Sequence, residues 1–141
     1  MSDWREIEAV WQEGEVFFGQ NKVGHQVCMG SPEGFSPMEL LLISLAGCTG
    51  MDVTSILEKK RQKLQSMRVI VRGLRREEFP RIYTEIEIEY RLVGHDLDHR
   101  AVEQAVSLSH DKYCSVSAML GQSAELRTTF IIHEKDDVTQ V

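Results

Sequence analysis

Short stretches of alternating apolar and polar residues open the chain and predict a meander of three strands, at residues 4–11, 15–18 and 23–29, with Gly14 and Gly19 at the bends. Gly30-Ser31-Pro32-Glu33-Gly34 ends that alternation. A helix start follows: Ser36 suits the N-cap, Pro37 the first helical position, and Glu39 completes a capping box with Ser36. The helix is expected to run to about Lys63, with Lys59, Lys60, Arg61 and Lys63 at the end where cations suit the macrodipole. Its upstream half (Leu40, Leu41, Leu42, Ile43, Leu45 and Ala46) is apolar on every side. Such a helix is wrapped on all faces, by its own sheet and by a partner subunit.

Two further strands are predicted at residues 67–74 and 82–92. The second puts Ile82, Ile86, Ile88, Tyr90 and Leu92 on one face and Glu85, Glu87, Glu89 and Arg91 on the other, as in an antiparallel sheet with one wet face. A second helix spans residues 98–109, with Ala101, Val102, Ala105 and Val106 as its apolar stripe. A short helical turn starts near Cys114 and ends before Gly121, and a last strand at residues 125–133 precedes a polar tail. The order β-β-β-α-β-β-α-α-β predicts an α+β fold in a single domain covering residues 1–141.

Charge and cysteine usage narrow the function. A net charge of −6 argues against general nucleic-acid binding and against a polybasic membrane patch. The longest apolar run, residues 40–48, includes Ser44 and is too short to span a bilayer, and the acidic start carries no apolar signal core. A soluble, cytoplasmic protein is expected. None of the three cysteines has zinc-ligand spacing, so no metal is expected, and no motif calls for another cofactor.

Cys48 lies mid-helix in Ala46-Gly47-Cys48-Thr49-Gly50-Met51-Asp52. A glycine inside a helix costs about 1 kcal/mol relative to alanine, so two beside one cysteine predict close approach of another backbone or a ligand. Asp52, one turn on, shares the face of Cys48. Cys114, in Lys112-Tyr113-Cys114-Ser115-Val116-Ser117, falls at a helix N-terminus, where backbone N–H groups and the dipole favour a thiolate. For both cysteines a packed structural thiol is the competing reading. Cys28 has no such setting and reads as structural. The capping box already explains Glu39, which gains a functional role only if its side chain also faces the thiols. Arg72, Arg75, Arg76 and Arg81 among Glu77 and Glu78 read as a solvated hairpin, and His95 and His99 as capping and surface residues rather than a metal pair.

Ser36-Pro37-Met38-Glu39-Leu40, then Ala46-Gly47-Cys48, then Lys112-Tyr113-Cys114-Ser115-Val116 resemble the OsmC/Ohr family across nearly the whole chain. Gly24-His25-Gln26, Asp52-Val53 and Arg75-Arg76-Glu77-Glu78-Phe79-Pro80-Arg81 are most similar to its YhfA-like branch. The resemblance implies an OsmC-like fold, with antiparallel sheets wrapped around two central helices in an intertwined homodimer. It also implies that Cys48 and Cys114 meet near the dimer interface. By the same resemblance Cys48 attacks a small organic hydroperoxide and becomes a sulfenic acid, Cys114 condenses with it to a disulfide, a dithiol reduces that disulfide, and Glu39 belongs to the polar setting.

One departure stands out. The peroxidase branches carry a thiolate-stabilising arginine on the strand before the long helix, whereas His25-Gln26-Val27-Cys28-Met29-Gly30 has none. An ionised Asp52 would raise the thiol pKa, and Arg75, Arg76 and Arg81 are the candidates to reach in. Two functions follow: a thiol peroxidase, or a non-catalytic dimeric small-molecule-binding or redox-sensing protein with an interfacial apolar pocket. A guanidinium beside Cys48 favours the first, and a buried neutral thiol the second.

Overall fold

The predicted meander forms, with its second bend displaced. The computed structural model describes residues 4–135, which group into two compact units meeting between Leu41 and Leu42. In the first unit, β1 (Ile7–Glu13), β2 (Val16–Asn21) and β3 (Gln26–Met29) pair antiparallel in that order. Gly14 turns the chain at φ +55°. Gly19, expected at a bend, instead lies inside β2, opposite Ala9 and Val27. The second turn is made by Asn21, whose side-chain oxygen accepts from the Val23 and His25 N–H groups, and by Gly24 at φ +98°. An Asx turn of this kind supersedes the glycine as the bend.

The long helix α1 (Pro37–Lys59) begins in the first unit and continues into the second. Its capping box is reciprocal: Ser36 N–H donates to Glu39 Oε1 at 2.9 Å, and Glu39 N–H donates to Ser36 Oγ at 3.1 Å. It ends four residues before the expected Lys63. Arg61 takes φ +59°, its N–H donates to the Glu58 carbonyl, and the Gln62 N–H donates to the Leu57 carbonyl. That pair of bonds is a Schellman stop, built here without glycine, and it leaves Lys63 free to open the next strand.

In the second unit β4 (Lys63–Arg75), β5 (Tyr83–His95) and β6 (Glu125–Glu134) form a sheet in that order. β4 runs antiparallel to β5, but β6 runs parallel to it, so the sheet is mixed rather than antiparallel throughout. The parallel return is possible because α2 (His99–Leu108), a π-helical turn π1 (Ser109–Tyr113) and α3 (Ser115–Leu120) intervene, a crossover long enough to carry the chain back. The alternation of β5 holds from Ile86 onward. At its start Tyr83 is buried in place of the exposed Ile82, because the register slips between Leu74 and Arg75 and changes which parity faces inward.

The core of this unit gathers Ile86, Ile88, Tyr90 and Leu92 of β5 and the stripe Ala101, Val102, Ala105 and Val106 of α2, all buried. Helix α1 contributes Leu45, Thr49, Val53 and Leu57, buried at a strict four-residue spacing. Its other faces are less covered: Ile43 is exposed, and Met51 is 73 % exposed. Taken as a whole helix rather than an unbroken apolar run, α1 is long and apolar enough to cross a membrane, with a mean hydropathy of 1.7 over eighteen residues. Core helices of soluble proteins meet the same description.

The helix glycines do not admit a neighbouring backbone within the chain. Gly47 faces open space, and a Cβ on Gly50 would sit 3.5 Å from Val69 Cγ2, an ordinary contact. Gly50→Ala should therefore raise stability by about 0.5–1 kcal/mol in urea unfolding, since it removes backbone freedom from the unfolded chain without a clash. A loss of stability would mean that the contacts of the single chain do not govern this position.

Candidate functional site

Cys114 sits at the N-cap of α3 with extended backbone, φ −78° and ψ 105°, and its Sγ accepts a hydrogen bond from the Ser117 N–H at 3.3 Å. The preceding π turn closes with the Cys114 N–H donating to the Ser109 carbonyl at 2.8 Å, one residue further back than an α turn reaches. The same first turn of α3 serves Cys48 as well, through the Val116 N–H, which donates to the Cys48 sulfur. The two sulfurs and a carboxylate oxygen of Asp52 all lie within 4.8 Å of one another. The cysteine pair expected from the sequence is thus brought together, as free thiols, with Asp52 completing a triangle. Cys114 is only 3 % exposed, while Cys48 is half-buried.

A chain of buried hydroxyls leads to Asp52. Tyr90 OH and Thr49 Oγ1 are 2.5 Å apart, Thr49 Oγ1 and Ser109 Oγ are 2.8 Å apart, and Ser109 Oγ donates to Asp52 Oδ2 at 2.8 Å. Each hydroxyl carries one proton, so the acceptor at the end fixes the direction of every bond. Ser109 gives its proton to the carboxylate, Thr49 must then donate to Ser109, and Tyr90 to Thr49. Burial pushes the Tyr90 hydroxyl above its usual pKa, and the nearby Cys114 and Asp52 charges add to the shift, so it remains a donor.

The Cys48 thiol is pushed up from its ordinary value, first by burial and then by its hydrogen bond to Cys114 and the charges of Cys114 and Asp52; the Val116 N–H offsets part of this. Among the described residues of the second unit, no cation contributes to this shift. The hairpin arginines are engaged with their own backbone: Arg75 Nε donates to the Arg81 carbonyl, Arg76 Nε to the Pro80 carbonyl and Arg81 Nε to the Arg76 carbonyl. Arg75, Arg76 and Arg81, the candidates to reach the thiol, are thus each bonded within their own hairpin.

Glu39 serves the capping box and lines a cleft of about 800 Å³ within the first unit, with Phe17, Met29, Pro32 and Pro37. Cys28 lies on β3 of that unit, its carbonyl accepting from the Phe35 N–H. His95 pairs with Glu134 and Asp96, whereas His99 packs its ring 5.0 Å from that of Phe130, so the two histidines form no joint site. Thr49, Tyr90 and Ser109 escaped the sequence reading because they come from three separate elements. Only the position of Thr49 beside Cys48 hinted at their role.

The OsmC-like protein family matches residues 30–129. This chain belongs to that family. The OsmC-like chain is 41 % identical to Protein YhfA of Escherichia coli (strain K12) over 123 residues, 85 % of this chain and 92 % of that protein. The crystal structure of a hypothetical protein from Aquifex aeolicus VF5 is similar at 39 % identity and a TM-score of 0.87, covering 94 % of this chain and 98 % of the other. The organic hydroperoxide resistance protein OhrB of Bacillus subtilis shares the fold at a TM-score of 0.63 and 14 % identity, over 92 % of this chain and 98 % of its own.

Two outcomes follow for this OsmC-like site. Thr49→Val keeps the shape but leaves the Tyr90 and Ser109 hydroxyls short of partners, and should cost about 1–3 kcal/mol in urea unfolding. Because the Cys48 thiol is raised, its thiolate fraction keeps growing at about pH 9.5, where a free thiol, with a pKa of about 8.5, is already mostly ionised. Peptide-mapped alkylation by iodoacetamide should accordingly still accelerate at Cys48 above that pH. A plateau below pH 8 would contradict the assignment of its surroundings.

Proposed function

We propose that this protein is a two-cysteine thiol peroxidase for small organic hydroperoxides. The observation that carries the reading is the single helix start whose backbone N–H groups serve both sulfurs, with those sulfurs within 4.8 Å of each other. Cys48, the more accessible thiol, attacks the terminal peroxide oxygen; the O–O bond breaks, an alcohol leaves and a sulfenic acid remains on Cys48. Cys114 then attacks that sulfur, water leaves, and the disulfide is returned to two thiols by a dithiol reductant. A disulfide bond is about 2.05 Å long, so the sulfurs close a short remaining gap without the chain having to unfold. Glu39 enters this reading as part of the polar setting, supported by its hold on the first turn of α1. The working protein is a cytoplasmic homodimer, a reading supported by the apolar residues that α1 leaves exposed, Leu41, Ile43 and Met51.

The raised Cys48 thiol and the engagement of the hairpin arginines elsewhere favour a second reading, a redox sensor or small-molecule-binding protein, for which the cleft lined by Phe17 and Met29 offers room. Turnover of cumene hydroperoxide with a dithiol separates the two. Wild type should consume peroxide and form a Cys48–Cys114 bridge on non-reducing peptide maps. Cys114→Ser should stall at a Cys48 sulfenic acid, and Cys48→Ser should consume nothing. If wild type forms no bridge and both variants behave alike, the peroxidase reading fails and the second replaces it. Sedimentation at low micromolar concentration should show a dimer, and a stable folded monomer would remove that part of the proposal.

A further inference from the structure

A thiol with no cation beside it among the described residues of its own unit needs another route to reactivity, and the residue that completes the triangle supplies one. Asp52 stands one helical turn from Cys48, has a carboxylate oxygen within 4.8 Å of both sulfurs, and is held by the Ser109 hydroxyl at 2.8 Å. A carboxylate in that position is unhelpful if the thiolate must form first, because like charges oppose each other. It is useful if proton and electron pair move together. The hydroxyl chain points all its protons toward Asp52 and so orients it, and the chain's far end, Tyr90, is fully buried.

We propose that Asp52 is the proton-transfer residue of the cysteine pair, acting first as general base on the Cys48 thiol and then as general acid on the departing alkoxide. The inference rests on the peroxidase reading and adds a catalytic residue to it. As the Cys48 sulfur attacks the terminal oxygen of the hydroperoxide, the S–H proton passes to Asp52. The S–O bond forms, the O–O bond breaks, and the electron pair leaves with the alkoxide. Asp52 returns the proton to that alkoxide, so the products are the Cys48 sulfenic acid and a neutral alcohol. In the second step Asp52 takes the Cys114 proton and gives it to the leaving hydroxide, so that water departs as the S–S bond forms. The dithiol reductant supplies the two electrons that reopen the bridge. Val116 and Ser117 supply N–H groups to the sulfurs while charge develops.

The test exploits two electrophiles that differ in their leaving groups. Iodide leaves without a proton, whereas an alkoxide needs one. Asp52→Asn keeps an acceptor for Ser109 but neither repels a thiolate nor carries a transferable proton. Iodoacetamide should therefore label Cys48 several-fold faster in Asp52→Asn at neutral pH. Turnover of cumene hydroperoxide with a dithiol should fall by about 100-fold or more, the lower end of what a positioned acid–base contributes. Cys114 should stay protected from label, which reports an intact fold and separates this outcome from simple unfolding. Two rates that rise together would make Asp52 only a repelling charge, and two that fall together would make it only a structural one; either overturns the proposal. A wild type that turns over no peroxide defeats the peroxidase reading itself. A wild type that turns it over, beside an Asn variant whose rates move together, defeats the Asp52 role alone.

Discussion

The site depends on one buried hydrogen-bond chain, Tyr90 to Thr49 to Ser109 to Asp52, because it joins the three elements that must be in register for two cysteines far apart in sequence to meet. Tyr90 belongs to β5, Thr49 and Asp52 to α1, and Ser109 to the π turn that runs into Cys114. Thr49 is the residue after Cys48, so its bonds to Tyr90 and Ser109 set the rotation of α1 at the thiol. Ser109 is bonded through its own carbonyl to the Cys114 N–H, so the same chain locates the second thiol. A buried hydroxyl left without a partner costs about 1–3 kcal/mol, and the chain has no slack, since each member donates the one proton it has. Shifting either cysteine relative to the other would break at least one of these bonds.

The electrostatics of the pair are unusual for thiol chemistry. Fields that favour a thiolate commonly come from a neighbouring cation, and here the favourable contribution comes from backbone N–H groups at one helix start, shared between two sulfurs. Against it stand burial and the charge of Asp52, and for Cys48 the unfavourable effects prevail. On the proposed peroxidase reading, that balance favours the protonated thiol in the absence of a hydroperoxide. Such a thiol is protected from adventitious oxidation, since oxidation follows thiolate character and exposure.

Much of this architecture was legible in the sequence, and the parts that were not share a cause. Local signals carried well: the Ser36–Glu39 capping box, the Asp98 start of α2, and the helix turn at Cys114 all stand where their residue types place them. Readings that depended on what lies across the fold were less secure. Gly19 looked like a bend because its role as the strand position facing Ala9 and Val27 is set by pairing partners, not by its neighbours. The parallel placement of β6 is set by the side of β5 on which it pairs, which the long crossover permits and a strand pattern alone does not encode. At the site, glycines and helix position left Cys48 and Cys114 open to a packed structural reading; the family resemblance paired them, and spacing put Asp52 on the face of Cys48. The hydroxyl chain could not be picked out, because threonine, tyrosine and serine mark a site only once the fold has buried them together.

On the proposed peroxidase reading, the two thiols divide the labour by access rather than by charge. Position at a helix start singles out Cys114 as the residue with the favourable dipole, and on that ground it would be the attacking group. The first turn of α3 directs one N–H to each sulfur, so the dipole does not separate them. Access does separate them: Cys114 is enclosed and Cys48 is half-buried. A hydroperoxide must bring its terminal oxygen into line with the attacking sulfur, whereas the second thiol needs to reach only the first, a group already within 4.8 Å. An enclosed Cys114 is therefore suited to an intramolecular condensation, in which proximity replaces exposure. The more open Cys48 is suited to the encounter with a substrate from solution.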